Sequence, residues 1–474
     1  MKREKMTRPC QSLTGMFCTL ARPLINTVAS ARCKDAPGAL QPFQRFARES
    51  GKPLKRLEWL RARAHRAEAT VLMRKARPAC RTSWLFLPGL LAICSTAFSA
   101  GAPLEGTIEQ TFGPGHERPI LVSISGLSGE AAQILRFDLY VQGFAFTDAE
   151  AAQYQIIGSN NGNLEARVIQ RINRSELLGN RVYSGPFRRQ VHHFADDFVN
   201  AVPGHARGIA QTRIMFKGEA AGASEIYIAD FDGHERQPMT RDGSLVAAPC
   251  WVPHRLAAYY TSYKLNHADI FYHDFSTGAR RVFARYGGSN MSPAVSPDGS
   301  RVAMILSKDG WTDLYVANAD GSNLRRLTKS PQDESSPYWS PDGRWICYAS
   351  KESERRSLSV ISPSGGAPRR LTTRLASSPT EPDWAPDGKH IAFTSQNGGN
   401  FQICVIPAEG GDAEAIAEGE DPSWAPNSRT LICARRAGGR GNYVLCVLDV
   451  GTKQVKDVSR ISGISSQSQP SWAK

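Results

Sequence analysis

Residues that could carry catalytic or metal chemistry are few in this sequence. His192 and His193 are adjacent, and Asp383 is the main acid within a recurring strand motif. Neighbouring residues on a helix point about 100° apart, so the two histidines make a poor joint metal site and are expected to be ordinary helix residues. The sequence has no GxSxG, HExxH or P-loop pattern. We therefore expect no catalytic residues, no metal site and no cofactor.

Thiol chemistry is suggested at one place. Beyond residue 99 the chain has five cysteines, Cys250, Cys347, Cys404, Cys433 and Cys446. An odd, scattered set is not a disulfide framework, and small buried hydrophobic residues explain most of it. Cys433 and Cys446, however, lie symmetrically about the turn AGGRGN and could face each other across a hairpin. A disulfide in an oxidising compartment stays open at this stage.

The elements that position these residues are written as a repeat. The stretch SPYWSPDGRWICYAS, residues 336–350, recurs with variations along the second half of the chain. Its anchor prolines are separated by 44, 44, 45, 40 and 48 residues and are Pro249, Pro293, Pro337, Pro382, Pro422 and Pro470. Periods in the low forties, with four short strands in each unit, predict the blades of a β-propeller.

The number of strands predicts how the propeller closes. The last inner strand, in QPSWAK, has no second strand after it, whereas TRIMFKG from Thr212 is a second strand with no inner strand before it. Together they complete one blade. We therefore expect a mainly β protein with a six-bladed β-propeller closed by the C-terminal strand, which leaves no open sheet edge.

Two features that recur in most blades have structural explanations. Tryptophans of the inner strands are expected to pack between blades; they are Trp251, Trp339, Trp384, Trp424 and Trp472. Asp-Gly pairs such as Asp298–Gly299 could belong to a calcium site, but tight-turn chemistry is favoured.

A different pattern precedes the propeller. Residues 100–203 alternate apparent strands with two helical segments, SGEAAQILRFDLYVQG and FRRQVHHFADDFVNAV, and Ser128 is placed to cap the first. The order strand, helix, strand, strand, helix predicts a small α/β domain with a flexible leader. The propeller is assigned to residues 204–474.

The excess positive charge lies near the N-terminus. Residues 1–82 hold 19 of the 58 Lys and Arg but only 5 of the 44 Asp and Glu, which accounts for the whole net charge of +14. The remainder is neutral, so we expect no nucleic-acid partner. Basic residues, an apolar run over 84–93 and small residues before 100 predict a signal peptide at residues 73–99. Residues 1–72 are interpreted as a non-native extension, and a native basic arm is the alternative. The mature chain is expected to be exported, with no transmembrane span.

The arrangement of these features resembles the TolB family. An export signal, a small α/β domain, the entry GIAQTRIMFKGE and inner strands such as EPDWAPDG and DPSWAPNS carry the resemblance, which covers about residues 104–474. It implies a non-enzymatic periplasmic scaffold of the Tol–Pal envelope system. In that family the propeller binds the lipoprotein Pal and the mature N-terminus binds the inner-membrane protein TolA. The alternative is a periplasmic propeller enzyme, hydrolase or lactonase-like, with a site in the channel.

Two segments are candidates for partner binding. Loops before the anchor prolines and between second and third strands are longer and more varied than the PDG-type turns, as expected of a recognition surface on a rigid ring. The residues assigned to a Pal-binding face are Asn290, Ser292, Ser335, Ser336, Glu381, Glu420 and Asp421. By resemblance, the leader EGTIEQTFGPG at 105–115 is the TolA-binding segment, with Glu105, Thr107, Ile108 and Glu109 as its contacts.

Overall fold

The first part of the structure is an α/β domain. The computed structural model describes residues 116–220, 222–437, 442–459 and 463–474. The domain's elements are β1 (Ile120–Ser125), α1 (Gly129–Tyr140), β2 (Phe144–Phe146), β3 (Tyr154–Ser159), β4 (Leu164–Gln170), β5 (Glu176–Tyr183) and α2 (Phe187–Ala201). They form a five-stranded sheet in the order β2-β1-β3-β4-β5, with β1 parallel to both neighbours and the other pairs antiparallel.

Both helices of this domain match the sequence pattern, but two details differ. Four strands, and not two, lie between the helices. One of them, β2, has only three residues and pairs in parallel, so no hairpin turn marks it. The Ser128 hydroxyl makes no capping bond. Instead the Ser128 amide donates to Asn160 Oδ1 at 3.1 Å, and Asn160 Nδ2 donates back to the Ser128 carbonyl at 3.3 Å. The expected capping bond of Ser128 is therefore wrong, because the Asn160 side chain, from a later loop, binds the main chain at the start of the helix instead.

The second part of the chain forms six four-stranded sheets among the described residues. Blade 1 holds β6 (Arg213–Ala220), β7 (Ala223–Asp230) and β8 (Gln237–Pro238) beside the last strand; blade 2 holds β9 (Val246–Trp251), β10 (Ala257–Ser262), β11 (Asp269–Asp274) and β12 (Arg280–Ala284); blade 3 holds β13 (Asn290–Val295), β14 (Arg301–Leu306), β15 (Asp313–Asn318) and β16 (Arg325–Arg326). This arrangement confirms the expected six-bladed propeller.

The remaining strands complete blades 4 to 6. Blade 4 holds β17 (Asp333–Trp339), β18 (Ile346–Glu352), β19 (Arg355–Ile361) and β20 (Arg369–Arg370); β21 (Thr373–Arg374) pairs with β25 (Gly411–Asp412); blade 5 holds β22 (Thr380–Trp384), β23 (His390–Asn397), β24 (Asn400–Pro407) and β26 (Glu414–Glu418); blade 6 holds β27 (Glu420–Trp424), β28 (Thr430–Ala437), β29 (Asn442–Asp449) and β30 (Val455–Asp457); β31 (Ser466–Trp472) is last.

Blade 1 closes the ring as the strand count predicted. Strand β31 pairs antiparallel with β6, with Ser466 opposite Glu219 and Trp472 opposite Ile214. The innermost strand of blade 1 therefore comes from the end of the chain and its other three strands from residues 213–238. The pairing joins the two ends of the circle with main-chain hydrogen bonds.

Inner-strand tryptophans and the Asp-Gly turns both serve the ring. Trp339 Nε1 donates at 2.9 Å to the Ala294 carbonyl of the preceding blade, which confirms the expected inter-blade packing. At the turn after β13, Asp298 accepts hydrogen bonds from the Ser296 hydroxyl at 2.5 Å and the Ser300 amide at 3.1 Å. These bonds lower the pKa of Asp298 to about 2.

Of the helices described, neither α1 nor α2 is long and apolar enough to cross a membrane.

Candidate partner-binding face

Each blade presents two different ends to solvent. One end carries the short turns that join the first strand to the second and the third to the fourth. The other end carries the connections between second and third strands and those between blades. We call this second end the loop face; it includes residues 241–245, 263–268, 285–289, 307–312, 327–332 and 371–379. The sequence assigned partner binding to these loops.

A ring of strained backbone lies behind the loop face. In all six blades the inner strand shifts register at its anchor proline, which marks a β-bulge. The residue before each proline has a positive φ, between +49° and +56°. These six residues, Ala248, Ser292, Ser336, Glu381, Asp421 and Gln469, form what we call the inner ring. For a residue other than glycine, this left-handed backbone conformation costs about 1–2 kcal/mol, so surrounding contacts must stabilise it.

Hydrogen bonds between neighbouring blades hold part of this ring. The Asp421 amide donates to Glu381 Oε2 at 3.2 Å, the Gln469 amide to Asp421 Oδ2 at 3.3 Å, and the Ala248 amide to Gln469 Oε1 at 2.8 Å. Each side chain thus accepts from the strained residue of the next blade. The chain of bonds runs through blades 5, 6, 1 and 2, across the closing strand.

Buried carboxyl groups set the charge of this region. Burial, together with the charges of Glu381 and Glu420, raises the pKa of Asp421 well above its usual range. Burial also raises the pKa of Glu334, the second residue of the inner strand of blade 4, to about 7. Near neutral pH the region therefore carries less negative charge than its acidic composition suggests.

The structure brings most of the assigned Pal-face residues together. Ser292, Ser336, Glu381 and Asp421 occupy equivalent positions of the inner ring, and Ser335 and Glu420 directly precede two of them. Their side chains are partly exposed. The candidate TolA contacts Glu105, Thr107, Ile108 and Glu109 lie outside the described residues.

Asn290 has a supporting position. It is fully buried, and its side-chain amide donates to the carbonyls of Ala268 and Tyr286 at 3.1 and 3.0 Å. Its side-chain oxygen accepts from the Tyr286 amide at 2.8 Å. The Asn290 side chain thus holds the loop before blade 3 and does not reach the surface of the loop face.

Sequence reasoning missed two groups of residues at this face. Ala248 and Gln469 belong to the inner ring, and their position before Pro249 and Pro470 was the available clue. Among the described residues of the loop face, four large apolar side chains are exposed: Leu245 (52%), Tyr263 (42%), Trp311 (44%) and Leu375 (86%). Each of them is a single apolar residue within a polar loop, so the composition of the loops does not reveal an apolar surface. Together they give the face apolar contact area that acidic residues alone would not supply.

Comparison with known proteins decides the family. Residues 203–474 match the family model described as the TolB beta propeller domain, which is more than half of the chain. The chain belongs to this family. Two relatives are the Tol-Pal system proteins TolB of Anaeromyxobacter dehalogenans (strain 2CP-C) and Anaeromyxobacter sp. (strain K). They are 29% identical over 296 and 292 residues, and each match covers 52% of this chain and 67% of the relative.

The fold agrees with the TolB assignment. The crystal structure of TolB from Acinetobacter baumannii aligns with a TM-score of 0.67 and 21% identity, over 76% of this chain and 98% of that one. The likeness shows a shared fold, and the alignment reaches beyond the 272-residue stretch matched by the propeller model. The TolB resemblance inferred from the blade motif and the order of domains is thereby confirmed.

Proposed function

We propose that this protein is a periplasmic scaffold of a Tol–Pal system. In this proposal its loop face binds the peptidoglycan-associated lipoprotein Pal, and its leader binds TolA. It would thereby support outer-membrane integrity and constriction during cell division, while remaining peripheral to the membranes. The proposal is supported by membership of the TolB propeller family and by relatives named Tol-Pal system proteins.

The observation that carries the Pal-binding part is the composition of the loop face. Exposed aromatic and aliphatic side chains on a rigid ring, beside partly exposed polar residues of the inner ring, are typical of a protein interface. Trp311 is the strongest candidate anchor, because tryptophan is enriched among residues that dominate binding energy. The blade scaffold fixes the loops that carry it, so little ordering is needed on binding.

A channel enzyme is the alternative, and the acids near the channel give it less support. Lys474 Nζ donates to Asp383 Oδ1 at 2.6 Å and to the Tyr338 hydroxyl oxygen at 2.5 Å. Glu381 and Asp421 accept the inter-blade hydrogen bonds of the inner ring. These carboxyl groups therefore have structural partners in the described part of the chain. A scaffold function is consistent with these structural roles and does not require a catalytic role for the carboxyl groups.

Replacing Trp311 with alanine is expected to weaken Pal binding by about 30-fold, the factor that corresponds to a loss of about 2 kcal/mol at an interface anchor. Leu375→Ala should weaken it less. The matched control is Trp345→Ala, because Trp345 is 37% exposed on the opposite, turn-bearing end of the blades. Isothermal titration with the soluble domain of Pal measures the dissociation constants, and the melting temperature checks folding. Equal affinities for the Trp311 and Trp345 variants would remove the loop face from the proposal.

Deleting residues 101–112 is expected to abolish TolA binding. The leader lies before the first strand of the α/β domain, so its loss should leave both the melting temperature and Pal binding unchanged. Trp311→Ala provides the reciprocal control, since it should lower Pal binding and retain TolA. Pull-downs with each purified partner give the readout. A deletion variant that still captures TolA at wild-type levels would refute the leader as its docking segment.

A further inference from the structure

Two cysteines of blade 6 lie in direct contact. Cys433 and Cys446 stand opposite each other in the antiparallel register of β28 and β29, and their sulfur atoms are 2.9 Å apart. Residues directly opposite on antiparallel strands have Cα atoms about 4.5–5.5 Å apart, which lies within the range of disulfides. Their side chains also point to the same face of the sheet. The strand pairing is therefore compatible with a disulfide between them.

The other described cysteines lack such a partner. Cys250 stands opposite Tyr259, Cys347 opposite Tyr338 and Val360, and Cys404 opposite Phe393 and Ala415. Register thus selects one pair among the five cysteines of residues 116–474. The register shows that Cys433 and Cys446 face each other across the hairpin, as the symmetric spacing about AGGRGN suggested.

Packing around the pair leaves room for the two sulfur atoms. Both cysteines are fully buried, within an apolar cluster that includes Ile403, Trp424 and Leu448. A Cβ on Gly419 would lie 3.0 Å from Cys433 Sγ, so the absence of a side chain there gives the sulfur its space. Buried thiols react slowly with external oxidants, so oxidation must precede the burial of this face.

We propose that Cys433 and Cys446 form a disulfide that fastens β28 to β29 when the chain folds in an oxidising compartment. The two thiols lose two electrons and two protons as the sulfur–sulfur bond forms. A disulfide of an exchange partner, protein or small molecule, accepts them and leaves as two thiols. The proposal goes beyond partner docking, although it relies on the export that the proposed function includes.

The bond would stabilise the blade that precedes ring closure. Strand β27 of blade 6 carries Glu420 and Asp421, and Asp421 Oδ2 accepts from the Gln469 amide of the closing strand. Linking residues 433 and 446 restricts a short loop in the unfolded chain. Reduction is therefore expected to lower the melting temperature by roughly 5–10 °C.

Peptide mapping tests the bond directly. The exported protein is recovered from cells, its free thiols are trapped with N-ethylmaleimide in denaturant, and it is digested with trypsin. Cleavage after Lys and Arg places the cysteines in different peptides, TLICAR (430–435) and GNYVLCVLDVGTK (441–453). We expect these two peptides joined, two hydrogens lighter than the separate pair, with Cys250, Cys347 and Cys404 labelled. Label on Cys433 and Cys446, or linkage of either to another cysteine, would overturn the proposal.

Two further arms separate the chemistry from the proposed function. The reduced chain refolded with oxidised glutathione should form the same bond, and the double variant Cys433→Ala/Cys446→Ala should show no reductant-dependent change in melting temperature. Cys404→Ala, also buried, is the control that keeps this change. A refolded chain with five free thiols beyond residue 99 overturns the pairing itself. A linked chain that fails to bind Pal leaves the disulfide standing and overturns the docking proposal instead.

Discussion

A chain that lacks residues 469–474 is expected to lose the cooperative unfolding transition of the propeller. The deletion removes the pairs Ser471–Met215 and Trp472–Ile214, which are two of the five residue pairs that join β31 to β6. It also removes the Ser471 carbonyl that accepts from Trp251 Nε1 at 2.9 Å. Blades 1 and 2 would lose this contact and the hydrogen bond from the Ala248 amide to Gln469 Oε1, and the first residues of β6 would become an open sheet edge.

The single variant Trp472→Ala isolates the largest part of this effect. Trp472 is 2% exposed, its indole nitrogen donates to Thr212 Oγ1 at 2.8 Å, and its amide donates to Ser423 Oγ at 3.1 Å. Truncating a buried aromatic side chain costs about 3–5 kcal/mol. Because the tryptophan contacts blades 6 and 1 together, the loss is expected to spread across the junction.

Urea unfolding followed by circular dichroism measures both variants. Trp345→Ala is the control, since its side chain is 37% exposed and lies in a turn away from the junction; its cost is expected to stay well below that of Trp472→Ala. Wild-type stability of the truncated chain would show that the ring does not depend on the last residues of β31.

The propeller was readable from sequence because its physical causes are local and repeated. Each blade repeats the same turn and inner strand, so period and strand count alone predicted six blades and their closure. The sequence showed the anchor prolines as markers of the repeat but did not show their structural context. In the structure each of them follows a residue with positive φ in a β-bulge. A single sequence shows no dihedral angles, so the inner ring and its inter-blade hydrogen bonds could not be derived.

The site was less predictable because burial depends on distant parts of the chain. Asn290 and Ser292 are two positions apart and both have small polar side chains. Asn290 is nevertheless fully buried, whereas Ser292 is partly exposed. The inner-strand bulge separates them. Likewise, nothing near His192 in the sequence identifies Asp138, which lies 54 positions earlier on another helix. Contacts of this kind can be identified only once the tertiary packing is known.

His192→Ala is expected to destabilise the chain by roughly 3–5 kcal/mol, whereas His193→Ala should change stability little. His192 Nδ1 lies 2.8 Å from Asp138 Oδ2, and both side chains are almost completely buried. Removing one partner leaves the other charge buried and uncompensated. His193 is exposed on the next position of the same helix and meets the Tyr183 ring edge to face, 5.2 Å between centroids.

The same pair connects the α/β domain to the propeller. His192 Nε2 lies 3.7 Å from Asp232 Oδ2, in the loop after β7 of blade 1, and Arg188 of α2 also pairs with Asp232. Loss of His192 should therefore loosen the contact between the two domains as well as α2 itself. Hydrogen exchange of residues 231–235 and 187–201 would detect this, and unchanged protection in both segments would contradict it.

Stability at this junction is expected to fall as the pH rises. Burial raises the pKa of Asp138 to about 6 from 3.8, so the folded chain holds a proton that the unfolded chain has released, and that stabilisation disappears between these values. For His192, burial lowers the pKa, but the charges of Asp138 and Asp232 raise it above 6.5 overall. Its contribution is present below pH 6.5 and is lost as the pH passes the folded-state pKa.

Both groups therefore give the pH dependence of unfolding the same sign. The free energy of unfolding of the wild type should decrease from about pH 4 to pH 6 through Asp138 and again above pH 6.5 through His192. Asp138→Asn should flatten this slope, because it removes one titrating group and the main partner that raises the pKa of the other. Urea titrations at several pH values, with His193→Ala as the control that keeps the wild-type slope, measure it. A slope that Asp138→Asn leaves unchanged would assign the pH dependence to other carboxyl groups, of which Glu334, with its pKa near 7, is the first to test by substitution with glutamine.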